Sequence, residues 1–444
     1  MKTFKRTEKY HTAVDLVKKL KTARHEAFLV GGCVRDLLMG RPPQDFDIAT
    51  SARPDQVAKL FRRTIPVGVQ FGVLLVLEGS YQFEVATFRT DLIYRDGRHP
   101  EAVVFSTPRQ DALRRDFTVN GLFFDPTRKK VIDYVKGQED LQRKVIRAIG
   151  NPVRRFEEDR LRMLRAVRFA ANLGFEIDPP TFVAIRQGAS KITRVSQERI
   201  RDELVKLFTG PAPERGLALL DESGLLKVIL PEVVRMKGVA QPPEFHPEGD
   251  VYTHTALVLE HLKNPSPVLA FGGLLHDVGK PSTFRIADRI RFDGHDRVGA
   301  AMARRICRRL RLSNAETEAV STLVVNHMRF KDVRQMRLST LKRFMAAPTF
   351  PEELKLHRAD CLASHGDLTN WRFLRKKLKE LPPQELKPKR LIDGNDLLQL
   401  GYSEGPLIGT ILKAVEERQL EGVLTSKPQA LDWVTEAFPR KQPS

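Results

Sequence analysis

The hydrophobic pattern of this chain changes near residue 150, and that change limits the folds open to it. Before that point, short apolar runs such as AFLV (27–30), GVLLVLE (72–78) and QFEVATF (82–88) predict strands. After it, long stretches such as VRRFEEDRLRMLRAVRFAANLGF (153–175) follow the helical period. The 444 residues also exceed the ~250–300 that one core accommodates. The sequence therefore predicts a multidomain protein, with an α/β part followed by an all-α part.

Two segments rich in proline and glycine divide the helical part. They are GVAQPPEFHPEGD (238–250) and KELPPQELKPKR (379–390), and the region between them is helical and rich in histidine. We expect an α/β head, a helical neck and body, a histidine-rich helical domain and a helical tail. Their predicted limits are 1–150, 151–250, 251–370 and 371–444.

Charge and cysteine content narrow the class of protein. The formal net charge is +20, and such a surplus attracts polyanions such as nucleic acids or polyphosphates. No apolar run approaches the ~20 residues of a membrane helix, and the basic N-terminal segment predicts an amphipathic helix rather than a secretory signal. Cys33, Cys307 and Cys361 are odd in number and widely spaced, which is typical of structural thiols in a reducing compartment. We expect a cytoplasmic protein with no membrane association.

Two aspartates in the head form a candidate metal site. Asp45 and Asp47 lie two residues apart in a segment that reads as a strand, so both side chains are expected on one face. Two carboxylates held so close repel each other unless cations compensate them, and a pair of divalent ions such as Mg²⁺ would do so. Glu84, on another predicted strand, is a candidate third ligand and catalytic carboxylate.

A Gly-Gly turn precedes these aspartates. Gly31 and Gly32 lie where a predicted strand passes into a predicted helix, which Gly40 and the proline pair after it would end. Backbone N–H groups at such a turn approach phosphates closely, helped by the positive end of the following helix. Arg35 adds a cation in the same place. The turn is therefore a candidate nucleotide-binding element.

The whole stretch LVGGCVRDLLMGRPPQDFDIAT (29–50) resembles the nucleotidyltransferase superfamily, in the class II branch that includes tRNA CCA-adding enzymes and bacterial poly(A) polymerases. ATFRTDLIYRDGRHPEAVVF (86–105) is similar to the flexible loop of that family. LRRDFTVNGLFFDP (113–126) is similar to its ribose-binding motif, which implies contacts from Arg115, Asp116 and Asn120. The resemblance extends over roughly residues 26–230 and implies a nucleotidyltransferase head.

Asp159 and Arg162 are three residues apart on a predicted helix and therefore share a face. Outside this context they would be an intrahelical ion pair that contributes only ~0.2–0.5 kcal/mol. The resemblance implies instead that the pair reads the incoming base, because cytosine and adenine both present an amine donor beside a ring-nitrogen acceptor. We expect Arg165 to meet the triphosphate, whereas Arg168 could face phosphate or solvent.

The resemblance implies that the chain adds C and A, from CTP and ATP, to the 3′ end of tRNA with Mg²⁺ as cofactor. Two related alternatives are an enzyme that adds only the terminal A and a poly(A) polymerase. RTIPVGVQFGVLLV (63–76) looks more like the tRNA branch, and the YRDGRHP loop argues against an enzyme that adds only CC. A different class of function, a non-catalytic RNA-binding module, conflicts with the intact carboxylates.

A second candidate metal site lies in the histidine-rich part. An ordered series of histidines and aspartates surrounds the motif GGLLHDVGKPS, and neutral imidazoles with carboxylates suit divalent metals. The series resembles the HD superfamily, which implies a central site and, at His295 and His327, a second ion of uncertain identity. The central ligands would be His254, His276, Asp277 and Asp360. The remaining histidines read as ordinary surface or core residues: His11, His25, His99, His246, His261, His357 and His365.

The HD resemblance implies metal-dependent phosphohydrolase activity, for instance on 2′,3′-cyclic phosphates. A cyclic phosphate would block nucleotide addition, so a hydrolase beside an RNA-end polymerase is chemically coherent. The alternative is a metal-binding helical body that positions tRNA and hydrolyses nothing.

Overall fold

The chain forms two compact units, Met1–Val234 and Arg235–Ser444. The finer division into four parts stays a prediction. No helix in the described part of the chain is long and apolar enough to cross a lipid bilayer. The structure is a computed structural model that describes residues 7–68, 71–91, 103–244 and 246–439.

A seven-stranded mixed sheet forms the centre of the first unit, in the order β3-β4-β5-β2-β1-β8-β9. Only β2 and β5 run parallel; the other neighbours are antiparallel. Two shorter strands, β6 and β7, pair separately on either side of the predicted flexible loop, whose residues 92–102 lie outside the described part. The strands are β1 (Ala27–Val30), β2 (Asp47–Thr50), β3 (Thr64–Gly68), β4 (Val73–Glu78), β5 (Tyr81–Thr87), β6 (Arg89–Asp91), β7 (Val103–Phe105), β8 (Leu122–Asp125) and β9 (Lys130–Asp133).

The helices of the head cover this sheet. The predicted amphipathic N-terminal helix is confirmed as α1, and its buried residues recur at helical spacing: Tyr10, Ala13, Leu16, Val17 and Leu20. Together with strand residues such as Leu29 and Ile48 they form one apolar core. The head helices are α1 (Glu8–Thr22), α2 (Gly32–Met39), α3 (Pro54–Leu60), α4 (Pro108–Leu113) and α5 (Gly137–Arg143), with a 3-10 turn at Thr118–Asn120.

The rest of the first unit is helical apart from a short parallel ladder. Asn151 caps the first of these helices by accepting a hydrogen bond from the N–H of Arg154. Asparagine is a preferred N-cap residue, and the proline that follows it is favoured in the first helical turn. The elements are β10 (Val145–Ile146), α6 (Pro152–Glu158), α7 (Leu161–Leu173), β11 (Glu176–Ile177), α8 (Pro179–Gly188), α9 (Gln197–Phe208), α10 (Pro213–Glu222), α11 (Leu225–Ile229) and α12 (Pro231–Val234), with a 3-10 segment at Ala189–Arg194.

The second unit is a helical assembly with one small hairpin. Its elements are α13 (Val251–His261), α14 (Pro267–Leu275), α15 (Lys280–Thr283), β12 (Arg285–Ile286), β13 (Ile290–Arg291), α16 (His295–Arg309), α17 (Asn314–Asn326), a 3-10 segment (His327–Asp332), α18 (Leu338–Met345), α19 (Phe350–Ala363), α20 (Thr369–Glu380), α21 (Pro383–Leu386), α22 (Gly394–Gln399), α23 (Pro406–Leu420) and α24 (Lys427–Ala437).

Two apolar clusters stabilise the later helices of this unit. One surrounds Phe330, Phe344 and Phe350, whose rings lie within 6.3 Å of one another, centroid to centroid. The other joins α22, α23 and α24 around Leu397 and Ile411. The multidomain α/β plus all-α class predicted from the sequence is confirmed, since a mixed-sheet head is followed by helical structure.

Candidate active site and metal centre

The Gly-Gly turn brings the backbone next to charged side chains of the head. Gly31 has φ +75°, and a Cβ at this position would lie 3.0 Å from a guanidinium nitrogen of Arg115 and 4.0 Å from Asp47. The N–H of Gly31 already donates to the carbonyl of Leu122 at 3.1 Å, so this amide is not aimed at a phosphate. α2 begins at Gly32, and its first turn faces the cavity described below.

Asp47 and Glu84 are brought together by strand register. β2 and β5 run parallel with Ile48 opposite Val85, which places the two acidic residues side by side, one position earlier. The Asp47 residue is partly open to solvent, but desolvation of its carboxylate, followed by repulsion from Glu84, raises its pKa to about 6, against the opposing effect of Arg115. A shared negative site of this kind fits a divalent cation.

Asp45 departs from its predicted position. β1 ends at Val30, where the chain turns, so β2 has a partner only from Asp47 onward and Asp45 precedes the strand. The expectation that both aspartates lie in one strand is therefore wrong. The alternation nevertheless holds, because Phe46 is buried between the two exposed aspartates. The side chain of Asp45 is 81% exposed, lies 2.7 Å from the Lys9 ammonium and is not among the described residues that line the cavity.

A cavity of about 490 Å³ collects most of the predicted nucleotide-binding residues. Seven arginines and four carboxylates among the described residues line it, so its charge is positive. That balance suits a nucleoside triphosphate. The predicted members are Gly31, Gly32, Arg35, Asp47, Glu84, Arg115, Asp116, Asn120, Asp159, Arg162 and Arg165, and those that sequence reasoning missed include Arg89, Arg114, Phe169 and Arg199.

The predicted ribose motif forms a hydrogen-bonded group on one side of the cavity. Asp116 accepts hydrogen bonds from Arg165 at 2.7 and 2.9 Å and from the Asn120 amide at 3.2 Å. Although burial opposes it, the Arg165 guanidinium holds the pKa of Asp116 at about 2. Arg35 donates to the Asn120 side-chain oxygen at 2.7 Å. These contacts fix Asn120 and Arg35 before any ligand arrives.

The predicted helix at 153–175 begins and ends as expected but is broken in the middle. Asp159 adopts an extended conformation between α6 and α7, and its carboxylate accepts a hydrogen bond from the N–H of Leu161 at 3.0 Å. The prediction that Asp159 and Arg162 share one continuous helix is therefore wrong. Both side chains still line the same cavity.

The two residues do not form an ion pair with each other in this structure. Asp159 is held by Arg199 of α9 through two hydrogen bonds of 3.2 and 2.8 Å. Arg162 pairs with Glu158 at 2.7 Å. Each therefore has its own partner that fixes its direction, and Arg199 is a contributor with no motif in the sequence to mark it.

Phe169 sits beneath several guanidinium groups. The Arg35 and Arg165 guanidinium carbons lie 5.3 Å from its ring centroid, and that of Arg168 lies 4.0 Å away. Arg168 also pairs with buried Glu203 at 2.5 Å and is not among the described residues that line the cavity. Of the two alternatives for Arg168, phosphate or solvent, neither fits, because its charge is neutralised inside the protein.

In the second unit, the predicted HD residues converge. The Nε2 atoms of His254 and His276 are 3.3 Å apart, and Asp360 lies 3.0 Å from the former. Asp277 Oδ2 is 3.3 Å from His276 Nε2. The ligand atoms of His254, His276 and Asp360 all lie within 4.8 Å of one another, which suits a metal ion.

A second trio adjoins the first. The Nε2 atoms of His295 and His327 are 3.2 Å apart, and each is 3.6 Å from Asp277 Oδ1. Asp277 thus directs one oxygen to each trio. Its carboxylate is buried without hydrogen-bond partners among the described residues, and Lys280 forms an ion pair with it at 2.7 Å. The structure thus groups Asp277 with His295 and His327, whereas the sequence placed it among the central ligands, and the division of ligands between two ions stays a prediction.

Backbone carbonyl groups orient three of these imidazole rings. The Nδ1 atoms of His276, His295 and His327 lie 2.6–2.8 Å from the backbone carbonyls of Gly273, Phe292 and Val324. Because each of these Nδ1–H groups donates to a carbonyl, the Nε2 atoms are directed toward the other members of the trios, where a divalent cation could bind them. The residues therefore fit divalent metal ions.

Glu248 and His246 were missed by sequence reasoning. The Glu248 carboxylate lies 2.6 Å from His254 Nδ1 and 2.9 Å from His246 Nδ1. The resulting carboxylate–histidine contact is typical of metal sites and orients His254. Burial opposes charge on His254, but the Asp360 and Glu248 hydrogen bonds raise its pKa to about 9. The one sequence feature that could have indicated a role for Glu248 is its position six residues before His254.

A close backbone approach positions His295. A Cβ at Gly279 would lie 2.2 Å from the His295 carbonyl oxygen, so only glycine fits in the turn after the HD motif.

The trios open onto a cavity of about 610 Å³ lined by Lys280, Arg289, Arg291 and Lys331 among others. Of the other histidines, His357 stacks on Phe330 at 4.4 Å, and His99 lies outside the described residues.

Comparison with known families agrees with this geometry. Residues 27–147 match the family described as poly A polymerase head domain, residues 174–236 the family described as probable RNA and SrmB-binding site of polymerase A, and residues 250–364 the HD domain.

Curated relatives and solved structures extend the comparison. A CCA-adding enzyme of Streptococcus uberis is 44% identical over 50% of this chain and 55% of its own length, so the chain spans about half of such relatives. The crystal structure of the Bacillus stearothermophilus CCA-adding enzyme in complex with CTP superposes with a TM-score of 0.76 at 26% identity, covering 97% of this chain and 98% of that one. The CCA-adding enzyme of Lactobacillus johnsonii is 30% identical over 96% of both chains. The chain therefore belongs to the CCA-adding enzyme family.

Proposed function

We propose that this chain adds C and A, from CTP and ATP, to the 3′ end of tRNA. The observation that carries the proposal is the arginine-rich cavity, which holds Asp47, Glu84, the ribose motif and the pair Asp159 and Arg162 in one space. The match with CCA-adding enzymes over nearly the whole chain supports the same activity.

Base selection would fall to Asp159 and Arg162. A carboxylate accepts from an exocyclic amine and a guanidinium donates to a ring nitrogen, so one fixed pair fits both cytosine and adenine. Uracil and guanine would leave the base-facing hydrogen-bonding groups of this pair unsatisfied, which discriminates by ~10⁴ or more. The salt bridges to Arg199 and Glu158 hold both side chains in place before the base arrives.

Catalysis in the head would depend on positioning and charge. Mg²⁺ bound by Asp47 and Glu84, with Asp45 after it leaves Lys9, would supply a Lewis acid for the reacting oxygens and the α-phosphate. The arginines that line the cavity would hold the triphosphate, and Asn120 would orient the ribose. The Asp45 side chain is exposed, and in this role it would exchange its contact with Lys9 for the metal ion.

The decisive experiment supplies tRNA transcripts that end before CCA or after CC with labelled CTP or ATP and Mg²⁺. We expect C incorporation into the first and A into the second. Incorporation of A only after CC would identify an A-adding enzyme, long A tails would identify a poly(A) polymerase, and no incorporation would leave an RNA-binding module. Asp47→Asn should abolish incorporation, while Asp55→Asn, a change of an exposed aspartate in α3, should not.

We also propose metal-dependent phosphohydrolase activity in the second unit. It is supported by two adjoining trios of side chains that could hold metal ions, with Asp277 in one trio and 3.3 Å from His276 of the other, beside a cavity with four cationic side chains. Divalent metals bound there would activate water, and the cations would bind the phosphate of a phosphodiester or cyclic phosphate.

This second activity is tested with nucleoside 2′,3′-cyclic phosphate and added Mg²⁺, Mn²⁺, Co²⁺ or Ni²⁺. Asp277→Asn should abolish hydrolysis and spare nucleotide addition. If the unaltered chain hydrolyses no phosphoester with any of these metals, the second unit is a structural body.

We further propose a cytoplasmic location, which the three buried free cysteines support.

A further inference from the structure

A groove in the second unit, which we name the Trp371 groove, lies between the end of α13 and helices α14, α18, α19 and α20. Its volume is about 580 Å³. Its floor is apolar, with Leu269, Phe350 and Leu354 buried beneath it. Cationic side chains surround this floor: Lys263, Lys355, Arg358, Arg375 and Lys379. The groove is separate from the cavity of the HD residues, which has its own lining.

The charged side chains that line the groove are all cationic. None of the described residues that line it is acidic. Within the described part of the chain, Lys355 is the one member of the five that forms an ion pair, at 3.5 Å from Glu352. Like charges collected around an apolar floor repel one another and raise the local positive potential. An anionic ligand with an apolar portion would satisfy both parts of the groove.

Trp371 supplies a flat surface inside it. The ring is partly buried against the Phe330 cluster. The guanidinium carbons of Arg358 and Arg375 lie 5.9 and 5.3 Å from its centroid. An aromatic ring flanked by arginines is the arrangement on which single-stranded nucleic acids stack their bases while their phosphates meet the cations.

We propose that the Trp371 groove binds an unpaired nucleotide of an RNA loop, with the base on Trp371 and the flanking phosphates on the cationic rim. The proposal takes its RNA partner from the proposed function and adds a contact far in sequence from the head motifs. An acidic peptide would satisfy the rim but would leave the ring without a stacking partner. The chemistry therefore favours a nucleotide.

The first test uses fluorescence. The chain contains two tryptophans, so Trp433→Phe leaves Trp371 as the single reporter. We expect a tRNA transcript to quench this emission, and an acceptor-stem hairpin with a short closing loop to quench it much less. Quenching by AMP but not by tRNA would overturn the proposal in favour of a free-nucleotide site. Equal quenching by a poly-glutamate peptide, or no quenching while anisotropy reports bound tRNA, would also overturn it.

The second test compares two double variants that remove the same charge. Lys355→Gln with Lys379→Gln changes the rim, whereas Lys376→Gln with Lys413→Gln changes exposed lysines that do not line the groove. The rim variant should raise the KM for tRNA about three- to tenfold with kcat within twofold. The slope of log K for tRNA binding against log salt concentration is negative, and in the rim variant its magnitude should decrease by about 1.4. This corresponds to roughly 0.7 for each of two lost phosphate contacts.

Equal effects in both double variants would overturn the proposal, because they would reflect only the overall charge. The fluorescence readout does not require catalysis. Failure of the groove proposal is therefore distinct from failure of nucleotide addition, which is measured on the unaltered chain.

Discussion

Single side chains in this protein are placed by contacts that neighbouring sequence does not reveal. Asp45 and Asp47 share a face as the alternation predicted, yet one pairs with Lys9 and the other faces the cavity. The difference arises because β1 ends at Val30 and leaves Asp45 without a strand partner. The sequence pattern therefore identifies a candidate ligand, while its distance from the cavity depends on where pairing stops.

His357 illustrates a residue whose chemistry comes from its surroundings. It reads as an ordinary histidine in the sequence, but the structure buries it against Phe330. Burial lowers its pKa to about 4. Between pH 4 and about 6.5, His357 is protonated in the unfolded chain but neutral in the folded chain. The stability linked to this group is thus present above pH 6.5 and is lost as the pH falls toward 4.

We predict that His357→Phe reduces this acid sensitivity while keeping the stacked ring. The unaltered protein should lose on the order of 1–3 kcal/mol more than the variant between pH 6.5 and pH 4. The measurement is Tm against pH, with a chelator present so that metal loss does not contribute. His11→Phe, a change at an exposed histidine, serves as the control. Parallel pH profiles for the unaltered protein and His357→Phe would contradict the prediction.

Among the elements, the strands of the head follow their hydrophobic patterns, but one helix does not. β1, β4 and β5 lie where alternating or continuous apolar residues predicted them. The helix at 153–175 is instead interrupted at Asp159, whose carboxylate accepts a hydrogen bond from the N–H of Leu161, the first residue of the next helix. Helical periodicity continues through the break, so the sequence carries no signal of it. Tertiary pairing with Arg199 stabilises the extended residue.

We predict that Arg199→Gln lowers discrimination between CTP and UTP by about 10- to 100-fold, because a charge-assisted hydrogen bond contributes roughly 1.5–3 kcal/mol. The measurement is kcat/KM for each nucleotide. Arg201→Gln, on the same helix but paired with exposed Asp202, is the matched control. An equal loss with both nucleotides would mean that Arg199 acts on the triphosphate instead.

At the scale of the whole molecule, the acidic pair Asp47 and Glu84 lies in the first compact unit, and the trios of histidines and carboxylates lie in the second. In the second unit, the clustered Nε2 atoms and carboxylates could bind divalent cations in the folded state but not in the unfolded chain. Metal binding to the folded state alone stabilises it by mass action, about 2.7 kcal/mol when the metal is at 100 times its Kd.

We therefore predict that a chelator lowers the Tm of the unaltered chain and that added divalent metal restores it. Asp277→Asn should remove most of this response, because Asp277 belongs to one trio and contacts His276 of the other. Asp293→Asn, a change at an exposed aspartate near the same cavity, should keep the response. A metal-independent Tm in the unaltered chain would contradict the assignment of the trios as metal sites.

The sequence alone determined the elements and the chemical groups: apolar periodicity fixes which segments become strands or helices, and a few motifs supply the carboxylates, glycines and histidines. The tertiary structure decided which groups meet. Arg199 reaches Asp159 from a helix 40 residues away, and Glu248 reaches His254 from a loop. The first partner is set by packing between helices distant in sequence and the second by the course of a nearby loop, and neither leaves a periodic pattern in the sequence.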